Sequence, residues 1–470
     1  MNREKQLVKN TFIVALGKIC TQFISFFLLP LYTAILSTEE YGVVDLLNTY
    51  ISLIIPIVFL QMDQAIFRFL IDERKNEENK IKLISTSLTT VFFQAILYLI
   101  IYIFIGRFIN NEYKYFLATN VVATMLSGIL LQICRGLGDN TTYSLGSIVS
   151  GAGTIIFNVL FIVVFKWGAY GMLSATLLAN ISCSIFIIFK KKIYKYYKIK
   201  KYTKEIRKEL WKYSIPMVPN MLSWWIVNAS DRTIVTYFLG VGENGIYSAA
   251  NKFSAIIITL FNVFNLTWSE SASLYINDKD RDIYFSKIMN KAIKFSTTLC
   301  FGLIAIMPFV FNYLITGQGY SSAYQQIPIL IISTLFNIVV SLIGSVYVGL
   351  KKSKEIAKTS IIAAIINIGV NLVLVNSIGL YAASISTLIA YLSMAIYRYI
   401  DVRKYVKISF DLKHILLSVI IGIIIITLYY IRNSYLCLLS VIIIIIYAIY
   451  YNVDIILDLI KLIKRKVGRN

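Results

Sequence analysis

The sequence predicts an all-α polytopic membrane protein of about fourteen transmembrane helices: two parallel six-helix repeats followed by two further helices. Three observations carry this. Of 470 residues, 58% are hydrophobic and 15% charged, whereas soluble domains average about a quarter charged. Runs of roughly 20 apolar residues recur from end to end, each long enough to cross ~30 Å of hydrocarbon as a helix. The halves also match each other at an offset of about 203–213 residues, the mark of an internal duplication.

Taken in order, helix one (11–36) is an apolar run that stops at the polar "STEEYG". Helix two (43–70) runs on to the charged "DERKNEENK". Helix three (82–106) ends at Arg107. Helix four (115–134) lies between "NNEYK" and Arg135. Helices five (143–165) and six (169–189) flank Lys166-Trp167-Gly168. The basic run "KKKIYKYYKIKKYTKEIRKELWK" precedes helix seven (213–239), and Gly240 separates that from helix eight (245–272). "NDKDRD" comes before helix nine (288–314), and "TGQGYSS" before helix ten (325–349). Lys351, Lys352 and Lys354 precede helix eleven (357–376), and Asn376-Ser377 divides it from helix twelve (378–399). "DVRKYVK" leads to helix thirteen (412–431), and Arg432-Asn433 to helix fourteen (435–457). The organisation is therefore an N-terminal lobe at 1–189, a basic linker at 190–212, a second lobe at 213–400, and two extra helices with a basic tail at 401–470. No small-residue cleavage site follows a short apolar core near the start, so the first span is expected to be retained.

The net charge is +22. With the N-terminus placed in the cytoplasm, most of the 46 lysines and arginines fall in segments on that side, as cytoplasmic loops require. The other side holds Arg107, Lys114, Lys166 and Arg432. Lys18, Arg68, Arg232, Lys252 and Lys294 fall inside spans. Both termini are thus expected in the cytoplasm. Membrane lipid, not nucleic acid, accounts for the basic balance, and the 190–212 linker is read as resting on anionic headgroups.

Several segments repeat in the same order. "STEEYGVVDLL" (37–47) matches "VGENGIYSAA" (241–250), aligning Glu40-Tyr41-Gly42 with Glu243-Asn244-Gly245. Gly136-Leu137 matches Gly349-Leu350, Asn158 matches Asn371, and "YGMLSATLLA" matches "IGLYAASISTLIA". Six helices per repeat make the repeats parallel. Transporters built this way hold substrate between the lobes and expose it to each side in turn.

At 100° per residue the polar side chains gather on faces. Helix one carries Thr11, Lys18, Gln22, Ser25 and Tyr32 on one stripe. Helix two carries Asp45, Asn48, Ser52, Pro56 and Asp63, with Arg68 on another side. Helix seven carries Asn220, Ser223, Trp224, Asn228 and Asp231, with Arg232 at the edge. Helix eight carries Ser248, Asn251, Lys252, Asn262, Ser269 and Glu270. Charges at membrane depth normally face a bundle interior or a wet cavity, and these cations suit an anionic group such as phosphate. The candidate substrate residues are Lys18, Gln22, Arg68, Asn228, Arg232 and Lys252. The alternative is that some act as ion-paired glue between helices; Asp231 and Arg232, neighbours pointing about 100° apart, do not pair well with each other. Lys294, near a cytoplasmic end, is read as snorkelling. Pro30 and Pro56 are kink candidates, while Pro216 and Pro219 open helix seven.

No nucleophile motif, phosphate-binding glycine loop or carboxylate cluster is present, so no enzyme, cofactor or metal site is expected. The five cysteines (Cys20, Cys134, Cys183, Cys300, Cys437) lie in or beside spans as small buried side chains. The one histidine, His414, reads as an interfacial residue.

"FFLLPLYTAILSTEEYGVVDLLNTYISLI" with "QMDQAIFRFL" resembles the opening of polysaccharide-export flippases of the Wzx type, in the multidrug/oligosaccharidyl-lipid/polysaccharide exporter superfamily. "YSIPMVPNMLSWWIVNASDRTIVTYFLGVGENGIYSAANKF" resembles the start of their second lobe, and "VNLVLVNSIGLYAASISTLIAY" their helix eleven to twelve segment. The resemblance implies MATE/MurJ-like lobes. It also implies a flippase turning undecaprenyl-pyrophosphate-linked oligosaccharides across a bacterial plasma membrane for capsule, O-antigen or exopolysaccharide synthesis. Coupling to H⁺ or Na⁺ would fall to Asp63, Asp231 and Glu270, and other polysaccharide-assembly membrane proteins are implied partners. A peptidoglycan lipid-precursor flippase would want the same cationic cavity. A drug/cation exporter of the superfamily would want an acidic, aromatic one. A membrane polysaccharide polymerase or ligase would need a large outer loop, and the outer loops are short.

Overall fold

The computed structural model describes residues 26–109 and 111–467. Every regular element among them is a helix. Their contacts divide the chain into two compact units: one up to Thr236 with Gly240–Gly245, the other Tyr237–Leu239 with Ile246 onward.

In the first unit, α1 (Leu29–Ile35) carries Pro30 in its first turn, after a turn at Leu28. α2 (Thr38–Phe59) starts on a capping box: the Ser37 hydroxyl accepts from the Glu40 N–H, and the Glu40 carboxylate accepts from the Ser37 N–H. The sequence reading carried this helix through to 70. The structure breaks it at Leu60 and Gln61, which both adopt left-handed φ (51° and 54°) four residues after Pro56. Two successive left-handed residues cannot continue a right-handed helix, so α3 (Met62–Asp72) starts afresh. α4 (Glu77–Ile105), α5 (Lys114–Gly136), α6 (Asn140–Asn158) and α7 (Gly168–Lys190) complete the bundle. Asn76 and Asp139 cap α4 and α6 by accepting the Asn79 and Thr142 backbone N–H. The core centres on α3 against α5: Met62, Ala65, Ile66 and Leu70 meet Met125, Ile129 and Ile133 in full burial. Gly136 makes room there, since a Cβ on it would lie 2.8 Å from Leu70 Cβ. Small residues allow this close approach, which matters where water supplies no drive between lipid-embedded helices.

The basic linker is partly helical and docked. α8 (Lys204–Ser214) buries Leu210. The Ser85 hydroxyl accepts from the Lys198 N–H at 2.9 Å, and the Thr86 hydroxyl from the Thr203 N–H at 3.1 Å. α9 (Val218–Leu239) follows, with Pro219 in its first turn, and ends at Gly240 with φ of 100°.

The second unit takes most of α10 (Val241–Leu274), then α11 (Arg281–Leu314), α12 (Ala323–Gly349), α13 (Ser353–Ile378), α14 (Tyr381–Val402), α15 (Leu412–Ile431) and α16 (Ser434–Val467). α11 begins seven residues before the apolar span read from the sequence. α16 bends at Asn452, whose φ of −120° is not helical.

Eleven helices among the described residues are long and apolar enough to cross a membrane. Of the other three expected spans, 11–25 of helix one lies outside the described residues. The remaining two form as α9 and α14, 22 residues each, and their polar side chains keep them below that standard. Arg398 corrects the charge sort, which placed it with the cytoplasmic loops. α14 runs on to Val402 and encloses it at 1% exposure. Its guanidinium donates to the Thr359 hydroxyl and the Val340 carbonyl, each at 2.9 Å. His414 is likewise enclosed, 2% exposed, with Nε2 2.7 Å from the Tyr447 hydroxyl, because α15 and α16 close over it.

Candidate functional site

The first unit brings α2 and α9 together along a line of polar contacts. Asp45, Thr49 and Ser52 stand four and three residues apart on α2, on one face. Near the middle of α9, the Trp225 indole N–H donates to the Thr49 carbonyl at 3.0 Å and to the Ser52 hydroxyl at 3.1 Å. Two turns further along, Arg232 Nε donates to Asp45 Oδ2 at 2.7 Å. The two side chains are 17% and 15% exposed, so the pair is largely shielded from solvent. Where the dielectric is low, such a pair couples strongly, and removing one member strands the other charge.

Beyond the pair, the chain leaves α9 and returns against the start of α2. The Asn244 amide donates to the Gly42 carbonyl at 2.9 Å. Gly42 and Gly245 pack backbone to backbone. A Cβ on Gly42 would lie 1.9 Å from the Val241 carbonyl oxygen, and one on Gly245 would lie 2.1 Å from that of Thr38. Neither position tolerates a side chain. In the internal repeat Gly42 aligns with Gly245, and Thr38 with Val241, so the contact is reciprocal: each repeat's glycine meets the other's helix-start carbonyl. This is the pattern of an isologous interface formed within one chain.

The sequence candidates distribute as follows. Lys18 and Gln22 lie outside the described residues, as does the side chain of Asn228. Arg232 sits in the pair with Asp45. Asp231 is buried at 2% exposure, turned away from Arg232 around the helix. Asp63 opens α3, half-buried, and accepts from the Gln64 amide at 2.8 Å. Arg68 lies on the same helix, 48% exposed, and pairs with Asp72 one turn on at 2.7 Å. Asp63 and Arg68 lie on α3, beyond the break that ends α2 fourteen residues after Asp45. In the second unit, Lys252 is half-buried and Glu270 exposed, both on α10.

Asp45 is the residue that sequence reasoning did not select. It led the polar stripe of helix two, and that position was its only signal. Stripes show which side chains share a face, but not which partner stands opposite.

A family model for polysaccharide biosynthesis proteins matches residues 7–269. An uncharacterized membrane protein of Methanocaldococcus jannaschii is 25% identical over 414 residues, covering 83% of this chain and 96% of the relative. Among solved structures, the lipid II flippase MurJ in its inward closed conformation superposes with a TM-score of 0.67 at 19% identity, covering 96% of this chain and 100% of that one. A multidrug resistance MATE family transporter of the MOP superfamily, inward-facing, also gives 0.67, at 14% identity over 83% of this chain and 97% of its own. The fold is the one those transporters share.

Proposed function

The chain belongs to the polysaccharide biosynthesis protein family, and from that premise we propose that it is a flippase for lipid-linked oligosaccharides, working by alternating access. Its substrate is an undecaprenyl-pyrophosphate-linked repeat unit, carried from the inner to the outer leaflet of a bacterial plasma membrane with both termini in the cytoplasm. The observation that carries the reading is the Arg232–Asp45 pair beside the reciprocal Gly42–Gly245 contact. An ion pair between helices of opposite repeats is a reversible closure, and glycine packing lets the closed form seat without side chains in the way.

In this reading Asp45 holds Arg232 while the outer end is shut. A pyrophosphate oxygen offers the guanidinium the same bidentate match as a carboxylate. Substrate therefore competes with Asp45 for Arg232, and binding favours release of the closure. Lys18 and Lys252 add positive charge to the substrate path. Asp231, Asp63 and Glu270 are the proposed sites for a coupling H⁺ or Na⁺, and the docked linker and other assembly proteins remain proposed contacts.

The test uses single cysteines at Lys18, Asn228, Arg232 and Lys252 in a cysteine-free chain, labelled with a charged, membrane-impermeant thiol reagent. Labelling that a lipid-pyrophosphate oligosaccharide suppresses, and a neutral lipid does not, supports the flippase. No labelling at any position overturns the cavity and its residues together.

A further inference from the structure

A second basic site lies in the second unit, near the start of α11. Lys287, Lys291 and Lys294 stand four and three residues apart on one face of α11. They line a polar pocket of about 280 Å³ together with Asp411 and Asn452. Lys294 is committed: its ammonium lies 2.7 Å from Asp411 Oδ2 and 5.3 Å from the centre of the Tyr451 ring. Lys287 and Lys291 have no ion-pair partner among the described residues, so the pocket keeps uncompensated positive charge.

Two further features go with that charge. Asn452 is 5% exposed and its amide donates to the Thr298 hydroxyl at 2.8 Å, but its Oδ1 has no hydrogen-bond partner among the described residues. A buried acceptor left unpaired is costly, and this one lines the same pocket. Lys291 also lines an apolar groove of about 320 Å³ between α10 and α11, whose walls include Ile257, Leu260, Phe261, Phe264, Phe295 and Leu299. Around α10 the groove residues centre about 180° from the polar arc of Ser248, Lys252 and Asn262. The groove therefore lies on the face of α10 away from the substrate residues.

We propose that this pocket and groove hold one anionic phospholipid of the leaflet on the lysine-rich side. Its phosphate meets Lys287 and Lys291, a headgroup hydroxyl donates to Asn452 Oδ1, and an acyl chain lies in the α10–α11 groove. Phosphatidylglycerol has all three parts. Phosphatidylcholine has the phosphate and chains, but its quaternary ammonium gives no donor and cancels the charge. The site is independent of the transported substrate, and only the leaflet rests on the topology of the proposed function.

The test measures thermal unfolding of the purified full-length protein in detergent while phosphatidylglycerol, phosphatidylcholine or inorganic phosphate is added. Phosphatidylglycerol is expected to raise the melting temperature in a saturable way, and the other two are not. In K287Q/K291Q the apparent affinity should fall about 30-fold, two lysines each contributing about a fivefold electrostatic share at the membrane surface. Equal stabilisation by phosphatidylcholine, or an unchanged response in the double variant, overturns the proposal; a response to inorganic phosphate alone assigns the pocket to free phosphate and overturns the lipid. Should the double variant not fold, Leu260→Trp keeps the lysines and fills the groove. That variant should lose the phosphatidylglycerol response while its lipid-free melting temperature stays near wild type, and a retained response overturns the groove assignment.

Discussion

Arg232 on α9 and Arg398 on α14 both sit inside helices of a chain built for lipid, yet they are held in opposite ways. Arg232 meets the Asp45 carboxylate across a two-helix seam and keeps 17% of its side chain exposed. Arg398 is enclosed at 1% exposure with no ion-pair partner among the described residues. Four of its five donors go to hydroxyls and helix carbonyls on α12 and α13: Thr359, Val340, Ile356 and, at 3.5 Å, Ser360. Gly344 on α12 leaves the space, for a Cβ there would lie 2.9 Å from Nη1. A seam of side-chain contacts between two helices can part and re-form. A cation threaded through three packed helices cannot be released without unpacking them. Charge at membrane depth is thus held by a carboxylate in one region and by hydroxyls and carbonyls in the other, and on the proposed function only the first takes part in transport.

The sharpest break of this contrast is Arg398→Ala. It should cost about 3 kcal/mol or more, as a cavity plus lost hydrogen bonds, and appear as a large fall in melting temperature. Arg398→Met should recover part of the loss. A wild-type melting curve for Arg398→Ala would remove the architectural role. Next comes Gly42→Leu, whose side chain has no place beside the Val241 carbonyl. The strain, about 1–3 kcal/mol for an overpacked contact, should fall on the closed form. Transport should drop at least tenfold and thiol labelling at Ser37 should rise, with little change in melting temperature. A lower melting temperature with unchanged labelling would make the contact structural, like that of Arg398.

Smaller again is the seam pair. Asp45→Asn and Arg232→Gln should each slow transport about tenfold, with the double variant no worse than either single, a coupling of about 1–2 kcal/mol. Exchanging the two residues (Asp45→Arg with Arg232→Asp) should restore the closure seen by labelling, but not substrate binding. Additive effects would mean the two act separately.

The smallest effects are expected at two helix caps that hold neither region's arginine. At Asp139, burial works against the charged form but is outweighed by hydrogen bonds from the Thr142 backbone and hydroxyl and from the Lys191 ammonium, so its pKa is lowered. At Asp411, the Lys294 ammonium and then the His414 N–H lower it. A carboxyl whose folded pKa is depressed stabilises fully above its unfolded value, near 3.9, and loses that contribution as pH falls through the lower folded value. Melting temperatures should therefore hold from about pH 7 to about pH 4 and then decline, with Asp139→Asn showing a weaker decline below pH 4 and a small deficit above it. An identical acid slope in that variant would exclude Asp139 as a contributor.

Much of the molecule was legible without coordinates. Apolar runs located the helices, because a span must satisfy its backbone internally over a set length. The repeat showed in short motifs, and the aligned Gly42 and Gly245 turned out to touch. The breaks were harder. Nothing in "FLQMDQ" marks Leu60 and Gln61 as left-handed, and the loop-like "YRYIDVRK" continues α14 for one more turn around Arg398. Of the candidate site, Arg232 was legible as a charge in an apolar run, while Asp45 looked like one polar residue among several.

The sequence by itself determined the class of the protein, the place of its long apolar segments and its duplicated plan, since each of these depends on composition and period along one dimension. Only the tertiary structure decided which charges meet: that Arg232 reaches Asp45, that Arg398 is sealed among hydroxyls and carbonyls, and that Lys287 and Lys291 are left uncompensated. The physical reason is that a helix period tells where a side chain points, whereas an ion pair depends on a partner remote in sequence, brought within a few ångströms by how the helices pack.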